Sequence, residues 1–310
     1  MIYTVTLNPA LDLELCVPEI AYDRVLRASQ VRADCGGKGF NISRALSMLG
    51  VPNLALGLVG GKTGERMAEE LRALGVKTDF DWIAGETRTN VHIVDEHTRH
   101  YIKVNQLGPR VAAAELEKLL ERVRNAAQPG DLWVFSGSLP PGAALDTYAP
   151  MVKAVQEAGG RALVDADGET LRETCLAQPY LVKPNALEAG ELVGLEINLS
   201  EDAVEATLFF HRFGVASVLI TLGPDGAVLS QNGHAWWAKP PVIEADIPTG
   251  AGDATLAGFV WGLSRNLPPV EALRLAVASG SASASLPGTA VASRELIEAI
   301  AERVLVKEVI

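Results

Sequence analysis

Short apolar runs alternate with helix-like stretches from residue 112 onward, and few folds accept that order. Leu132 to Ser136, Arg161 to Val164, Tyr180 to Val182 and Ser217 to Thr221 read as short buried strands. Ala112–Ala126, Leu145–Ala158, Ala186–Val193 and Asp202–Phe213 are helix candidates between them. Parallel strands need a crossover, and the helices that supply it dry both faces of the sheet. The order therefore predicts an α/β fold on a mainly parallel sheet, with helices on each face. With 310 residues, 48% of them hydrophobic, the chain can bury a core of that size.

The first hundred residues depart from this pattern. Ile2 to Leu7 is a β-branched run that stops at Asn8-Pro9 and reads as one more buried strand. Leu11 to Val17 and Leu26 to Arg32 alternate apolar with polar residues, as strands with one wet face do. Thr89 to Val94 and Tyr101 to Asn105 predict a hairpin around Asp95-Glu96-His97-Thr98, with Tyr101, Lys103 and Asn105 on one face. A helix over Asn41 to Leu49, a strand over Leu54 to Val59 and a helix from about Gly64 to Leu74 lie between. The half-exposed strands do not fit the central sheet. They predict a small β lid, from about 11–32 and 86–105, inserted into one domain spanning 1–310. Gln231-Asn232-Gly233 marks a turn between Gly226–Ser230 and Ala235–Ala238. Three helices are expected to close the chain, at about 251–264, 269–285 and 293–305.

The net charge of −11 and the lack of any basic run exclude nucleic acid and anionic membrane as expected partners. No bilayer-length apolar run, signal peptide or lipidation motif is visible. Cys16, Cys35 and Cys175 are widely spaced and form no CxxC pair, so reduced thiols and a cytoplasmic location are expected. A small anionic ligand stays compatible with the acidic chain if positive charge gathers locally.

In open α/β sheets, ligands bind beyond the carboxyl ends of the strands. Asp12, the run Ser136 to Gly142, Asp165, Lys183-Pro184-Asn185 and Thr221-Leu222-Gly223 all follow predicted strands. Gly250-Ala251-Gly252-Asp253 precedes an apolar run at helical spacing (Leu256, Phe259, Val260, Leu263), so it is a loop entering a helix. Such a turn presents free N–H groups to an anion. Asp253 there is either a general base beside an anion hole or a carboxylate that merely suits the helix dipole. Asn185 and Glu188 are either a reciprocal helix cap or holders of a hydrated Mg²⁺, and the two roles are compatible. Lys38, Arg88 and Lys103 are either solvated side chains or the local positive patch that a phosphorylated substrate needs. Gly60-Gly61-Lys62-Thr63 imitates the end of a P-loop, but Leu56 stands where that motif needs its first glycine.

Six segments, taken in order, resemble one family. They are Thr6-Leu7-Asn8-Pro9-Ala10-Leu11-Asp12, Gly36-Gly37-Lys38-Gly39-Phe40-Asn41 and Thr87-Arg88-Thr89-Asn90. Ser136-Gly137-Ser138-Leu139-Pro140, Lys183-Pro184-Asn185-Ala186-Leu187-Glu188 and Gly250-Ala251-Gly252-Asp253 complete the set. Together they resemble the ribokinase-like sugar kinases of the PfkB type, in the branch of 1-phosphofructokinase and tagatose-6-phosphate kinase. The likeness extends almost end to end, as far as Pro287-Gly288-Thr289. Pro248-Thr249 departs from the family pattern, which leads one to expect a small residue there.

The resemblance implies a three-layer αβα fold with a β lid, a homodimer joined through the lids, and ATP as co-substrate with Mg²⁺. The acceptor it implies is D-fructose 1-phosphate, giving fructose 1,6-bisphosphate. Tagatose 6-phosphate and fructose 6-phosphate remain alternatives, as does a non-catalytic sugar-phosphate sensor. Asp253 would be the base, with the N–H groups of Gly250, Ala251 and Gly252 as the anion hole. Asp12, Gly37 and Asn41 would bind sugar hydroxyls, and Lys38, Arg88, Lys103 and Ser138 the phosphate already on the sugar. Lys183, Asn185, Thr221, Gly223 and Gly226 would border the nucleotide. Asn185 and Glu188 would organise Mg²⁺ through water.

Overall fold

The computed structural model describes residues 1–243, 250–286, 288 and 290–310, so Pro248-Thr249, Pro287 and Thr289 lie outside the described residues. Strand β1 (Ile2–Thr6) is followed by two that leave the main sheet, β2 (Ala10–Val17) and β3 (Gln30–Gly36). Helix α1 (Lys38–Met48), strand β4 (Asn53–Val59), helix α2 (Gly61–Ala73) and strand β5 (Lys77–Trp82) return the chain to it. A second excursion, β6 (Arg88–Asp95) and β7 (Tyr101–Val104), precedes α3 (Ala113–Ala126). Next come β8 (Leu132–Ser136), α4 (Tyr148–Glu157), β9 (Arg161–Asp165), α5 (Gly168–Cys175), β10 (Leu181–Val182), α6 (Ala186–Val193), α7 (Ser200–Arg212) and β11 (Ser217–Thr221). The hairpin β12 (Ala227–Gln231) and β13 (His234–Lys239) leads to α8 (Ala251–Ser264), α9 (Pro269–Ala284), α10 (Arg294–Ala301) and β14 (Leu305–Glu308).

Ten strands form the main sheet, in the order β14-β13-β12-β11-β10-β9-β8-β1-β4-β5. Neighbours are parallel from β11 to β5 and antiparallel from β11 out to β14. Alternate side chains of one strand feed two cores. Trp133 and Phe135 point into the layer of α3 to α7, where Trp133 stacks on Tyr3 at 4.0 Å. Leu132 and Val134 point into the layer of α1, α8, α9 and α10. A third cluster with Phe40, Met67 and Phe80 seats α2. From β1 the chain moves outward to β4 and β5, then resumes at β8 on the other side of β1. The helices leaving β1 and β8 therefore lie on opposite faces, and a crevice opens beyond the carboxyl ends of those strands.

The small sheet has the order β3-β2-β6-β7, with β2 parallel to β6 and the two outer pairs antiparallel. Its register sets Asp12 beside Asn90 and His92 beside Lys103, so polar side chains share one face. Leu11, Leu13, Val91, Ile93 and Ile102 alternate with them on the opposite, apolar face.

Several boundaries correct the sequence expectation. Strand β3 runs over Gln30–Gly36 and not Leu26 to Arg32, because pairing with β2 sets Gln30 opposite Cys16. Residues 25–28 before it carry no regular structure, and a turn at 22–23 with Asp23 at φ 56° precedes them. Helix α10 ends at Ala301, and Leu305–Glu308 pairs with β13 where the sequence predicts a helix to 305. Strand β5 and helix α5 carry no clear sequence signal. The first is a charged edge strand, Lys-Thr-Asp-Phe-Asp-Trp, and the second has only eight residues. Within β5, Asp81 is buried and takes a two-pronged ion pair from Arg122, both bonds 3.0 Å, with Lys118 at 2.8 Å. Among the described residues no helix is long and apolar enough to cross a membrane.

Helix α8 is buried along nearly its whole length, and α9 approaches it through glycines. A Cβ at Gly258 would overlap the Ser279 hydroxyl and the Leu275 carbonyl, and one at Gly262 would overlap Ala272. Gly258→Ala is therefore expected to cost about 1–3 kcal/mol of stability through overpacking. Urea unfolding should show a lower midpoint with an unchanged slope; an unchanged midpoint would mean that the two helices have room to spare.

Candidate active site

Three helix amino termini meet at the crevice. Gly37 (φ 110°) precedes α1 and Gly250 (φ 84°) precedes α8, and neither offers a side chain to cap its helix. Their first N–H groups stay available to an anion. Asn185 caps α6 instead: its Oδ1 accepts from the Glu188 N–H at 2.8 Å, and Glu188 Oε2 accepts from the Asn185 N–H at 2.8 Å. The cap expected from sequence is thus formed, and it leaves Glu188 Oε1 facing Lys38, at 3.9 Å from Nζ.

Asp253, in the first turn of α8, is buried and accepts a 2.8 Å hydrogen bond from Asn41 Nδ2 of α1. Asp165, at the end of β9, is fully buried between two ammonium groups, Lys38 Nζ at 2.9 Å and Lys183 Nζ at 3.3 Å. Lys183 in turn lies beside α8, its Nζ 3.6 Å from where a Cβ on Gly252 would be. Burial would raise the Asp165 carboxyl, but the positive charges of Lys183 and Lys38 outweigh it and hold the group below the usual carboxylate range. Asp253 goes the other way. Burial and the negative charge of Asp165 push it up to about 7, against the pull of Lys38, Asn41 and Lys183. Burial disfavours the charge on Lys38, yet Asp165, Glu188 and Asp253 keep that group protonated beyond the usual lysine range. Two neighbouring carboxyls driven apart in this way divide the work: one is a fixed charge, the other can exchange a proton near neutrality.

The small sheet supplies a second set. Asp12 accepts from Asn90 Nδ2 at 2.9 Å, and it lies so close to Gly36 that any side chain there would overlap its carboxylate. Burial raises the Asp12 carboxyl, against the Asn90 bond and the charges of His92, Lys103 and Arg88. Arg88 donates to the carbonyls of Gln106 (2.8 Å) and Asn8 (3.0 Å), and its Nη2 is 3.4 Å from Ser138 Oγ. Lys103 is exposed, its ammonium 5.8 Å from the centre of the Tyr101 ring. The sequence groups Lys38 with Arg88 and Lys103; the structure ties Lys38 to Asp165 and Glu188, on the Asp253 side. Thr221 joins Asn185 through an isolated parallel bridge, and Gly223 (φ 58°) and Gly226 (φ 89°) shape the turn that follows.

In the sequence Asp165 stands only as a strand-end residue of the crevice and Asn90 only as part of a matching segment, with no role for either. A strand-end position hints at the first, but no local pattern links it to Lys38, 127 residues away. The P-loop imitation is closed to phosphate, because the Glu86 carboxylate accepts from the N–H groups of Lys62 (3.2 Å) and Thr63 (2.6 Å).

Uncapped helix amino termini, one buried and one half-buried lysine and a carboxyl poised near neutrality fit an α/β enzyme that transfers an anionic group to an acceptor. Residues 6–296 match the family described as pfkB family carbohydrate kinase, and the chain belongs to that family. It is accordingly a phosphotransferase with an alcohol group as acceptor. It is 37% identical over 284 residues to the 1-phosphofructokinase of Bacillus subtilis (strain 168), covering 92% of each chain. Phosphofructokinase-2 from Escherichia coli superposes with a TM-score of 0.90 at 30% identity, covering 97% of this chain and 98% of that one. The values are the same for its complex with fructose-6-phosphate and its tetrameric inhibited form.

A carboxyl whose folded value is raised resists ionisation in the native state. Its contribution to stability is full below the unfolded value of about 4 and is lost as pH rises toward about 7. Asp253→Asn should therefore raise Tm by a few degrees at pH 8 and leave it unchanged at pH 4. Equal Tm values at both pH values would mean that Asp253 ionises without cost.

Proposed function

We propose that the protein phosphorylates D-fructose 1-phosphate with ATP, yielding fructose 1,6-bisphosphate. The observation that carries the chemistry is Asp253, buried at the α8 amino terminus, held by Asn41 and flanked by the Lys38–Asp165–Lys183 cluster. A sugar hydroxyl attacks the γ-phosphorus in line and its proton passes to Asp253. The new O–P bond forms as the bond to the bridging oxygen breaks, and ADP leaves. Asp253 is well matched to this task, because a base works best when its pKa lies near the working pH. Negative charge spreads over the transferred group, and the N–H groups of Gly250, Ala251 and Gly252 with Lys38 and Lys183 meet it.

Asp12, Gly37 and Asn41 would orient the sugar, and Arg88, Ser138 and Lys103 would hold its phosphate. Arg88 supplies the planar fork that suits a phosphate, already aimed by two backbone carbonyls. Asn185, Thr221, Gly223 and Gly226 would border the nucleotide together with Lys183. Among the described residues no three His, Cys, Asp or Glu side chains gather around a point that could hold a metal directly. Glu188 Oε1 is left free by the α6 cap, which suits an ion held mostly by water and phosphate. Mg²⁺ there would neutralise phosphate charge, with Asn185 and Glu188 steadying its waters.

The apolar face of the small sheet, where Val31 and Val104 are more than half exposed, would join two lids in a homodimer. One relative of known structure, phosphofructokinase-2 from Escherichia coli, has been seen as a tetramer in an inhibited form. Free Cys16, Cys35 and Cys175 suit a reducing compartment such as the cytoplasm.

ADP release with Mg²⁺ and ATP should be compared by kcat/KM for fructose 1-phosphate, fructose 6-phosphate, tagatose 6-phosphate, fructose and ribose. Preference for fructose 1-phosphate is the expected result. A 6-phosphate preference, favoured by the E. coli relative's complex with fructose-6-phosphate, would keep the mechanism and replace the substrate. Asp253→Asn should lose about 10²–10⁴-fold in kcat with both KM values little changed; near-normal turnover would remove it as the base. Arg88→Ala should chiefly raise KM for the sugar phosphate, and an unchanged KM would take Arg88 out of the phosphate subsite.

A further inference from the structure

The turn after β11 is closed by backbone bonds and tied to its surroundings by side chains from a neighbouring strand. Leu222 to Gly226 holds two glycines at positive φ, and its internal bonds are Asp225 N–H to Leu222 O (3.2 Å), Gly226 N–H to Gly223 O (3.1 Å) and Leu222 N–H to Gly226 O (2.7 Å). Pro224 fixes one φ between the two glycines, but the glycines still carry conformational entropy that contacts from outside the turn help to restrain. The restraint comes from β13, two strands further along the chain. The Trp237 indole N–H donates to the Asp225 carbonyl at 2.9 Å, and Lys239 Nζ donates to Asp225 Oδ1 at 3.2 Å. Gly226 lies so tightly against the Ala238 carbonyl that a side chain there would overlap it. Trp237 is itself steadied: part of its ring packs on the core, and the ammonium groups of Lys239 and Lys307 lie 5.7 and 6.0 Å from its centre.

We propose that Trp237 and Lys239 are positioning residues for ATP, acting through the 222–226 turn that they strap to β13. The proposal rests on the reading that this turn borders the nucleotide. Trp237 supplies a directional anchor from a partly buried ring. Lys239 does something different. Its ion pair is exposed and adds little to stability, but it offsets the Asp225 carboxylate, which would otherwise repel a polyphosphate at the turn.

Two measurements on the full chain separate the proposal from the reading beneath it. Hydrogen–deuterium exchange over 221–227 in the wild-type protein, with and without ATP and Mg²⁺, shows whether nucleotide reaches the turn. Slower exchange with ATP is expected; no change would overturn the nucleotide reading and the proposal with it. Steady-state kinetics then test the strap. Trp237→Phe keeps the ring and deletes the donor, and should raise KM for ATP about fivefold, the size of one lost hydrogen bond. KM for the sugar phosphate and kcat should stay within about twofold of wild type. Lys239→Met should raise KM for ATP about threefold, and Lys239→Arg should restore it. Protection of the turn by ATP together with wild-type KM values in both Trp237→Phe and Lys239→Met would overturn the proposal and leave the nucleotide reading standing. A parallel rise in both substrates' KM values would equally overturn it, since it would report a general loss of structure.

Discussion

A single buried carboxylate sets the terms for the site. Asp165 has no exposed surface, and such a charge is tolerated only because Lys38 and Lys183 reach it from two different elements. Their recruitment has a second effect. With Asp253 protonated, the charges of Asp165 and Glu188 balance those of the two lysines; ionising Asp253 leaves an excess of negative charge. Burial first, and then this excess of negative charge, raise the affinity of Asp253 for a proton. Under the proposed mechanism a polyphosphate drawn to the same lysines would compete with Asp165 for them, and binding would be coupled to the protonation of Asp253.

The topology explains why these groups meet. Reversal of strand order between β1 and β8 opens the crevice, and α1 and α8 enter it from the same layer with bare amino termini. Asn41 and Asp253 touch although 212 residues separate them in sequence. Close packing of α9 on the glycines of α8 fixes the depth at which Asp253 sits. The small sheet brings Asp12 and Arg88 to the other side of the crevice through the parallel pairing of β2 with β6.

Much of this is legible in the chain because buried parallel strands write themselves as unbroken apolar runs. From Leu132 to Thr221 the strands stand where the runs are, to within a residue. Edge elements are different. Strand β5 faces partly into water and reads as alternating charge, and β14 is too short to show a period before its partner is known. The misplacement of β3 has a related root: the apolar positions 26 and 28 change phase to 31, 33 and 35 across Ser29-Gln30, and the pairing with β2 shows that the second phase is the strand. In the site, the glycine turn at 250–252 and the Asn185–Glu188 cap are local patterns and can be read directly. The partners of Lys38 and Asp253 are set by tertiary contact alone, and no spacing in the sequence encodes them.

An open sheet of ten strands ends in two raw edges, each a template on which another chain could build. At β5 the buried Asp81 works against this. Its carboxylate is satisfied by Arg122 and Lys118 arriving from α3, and Lys118 keeps much of its contact with solvent. A foreign strand laid along β5 would crowd the partly exposed Asp79 and Lys118 beside it, and charges at a free edge disfavour such pairing. Residues with no part in the chemistry thereby help to keep the molecule from aggregating through its sheet edge when it is concentrated.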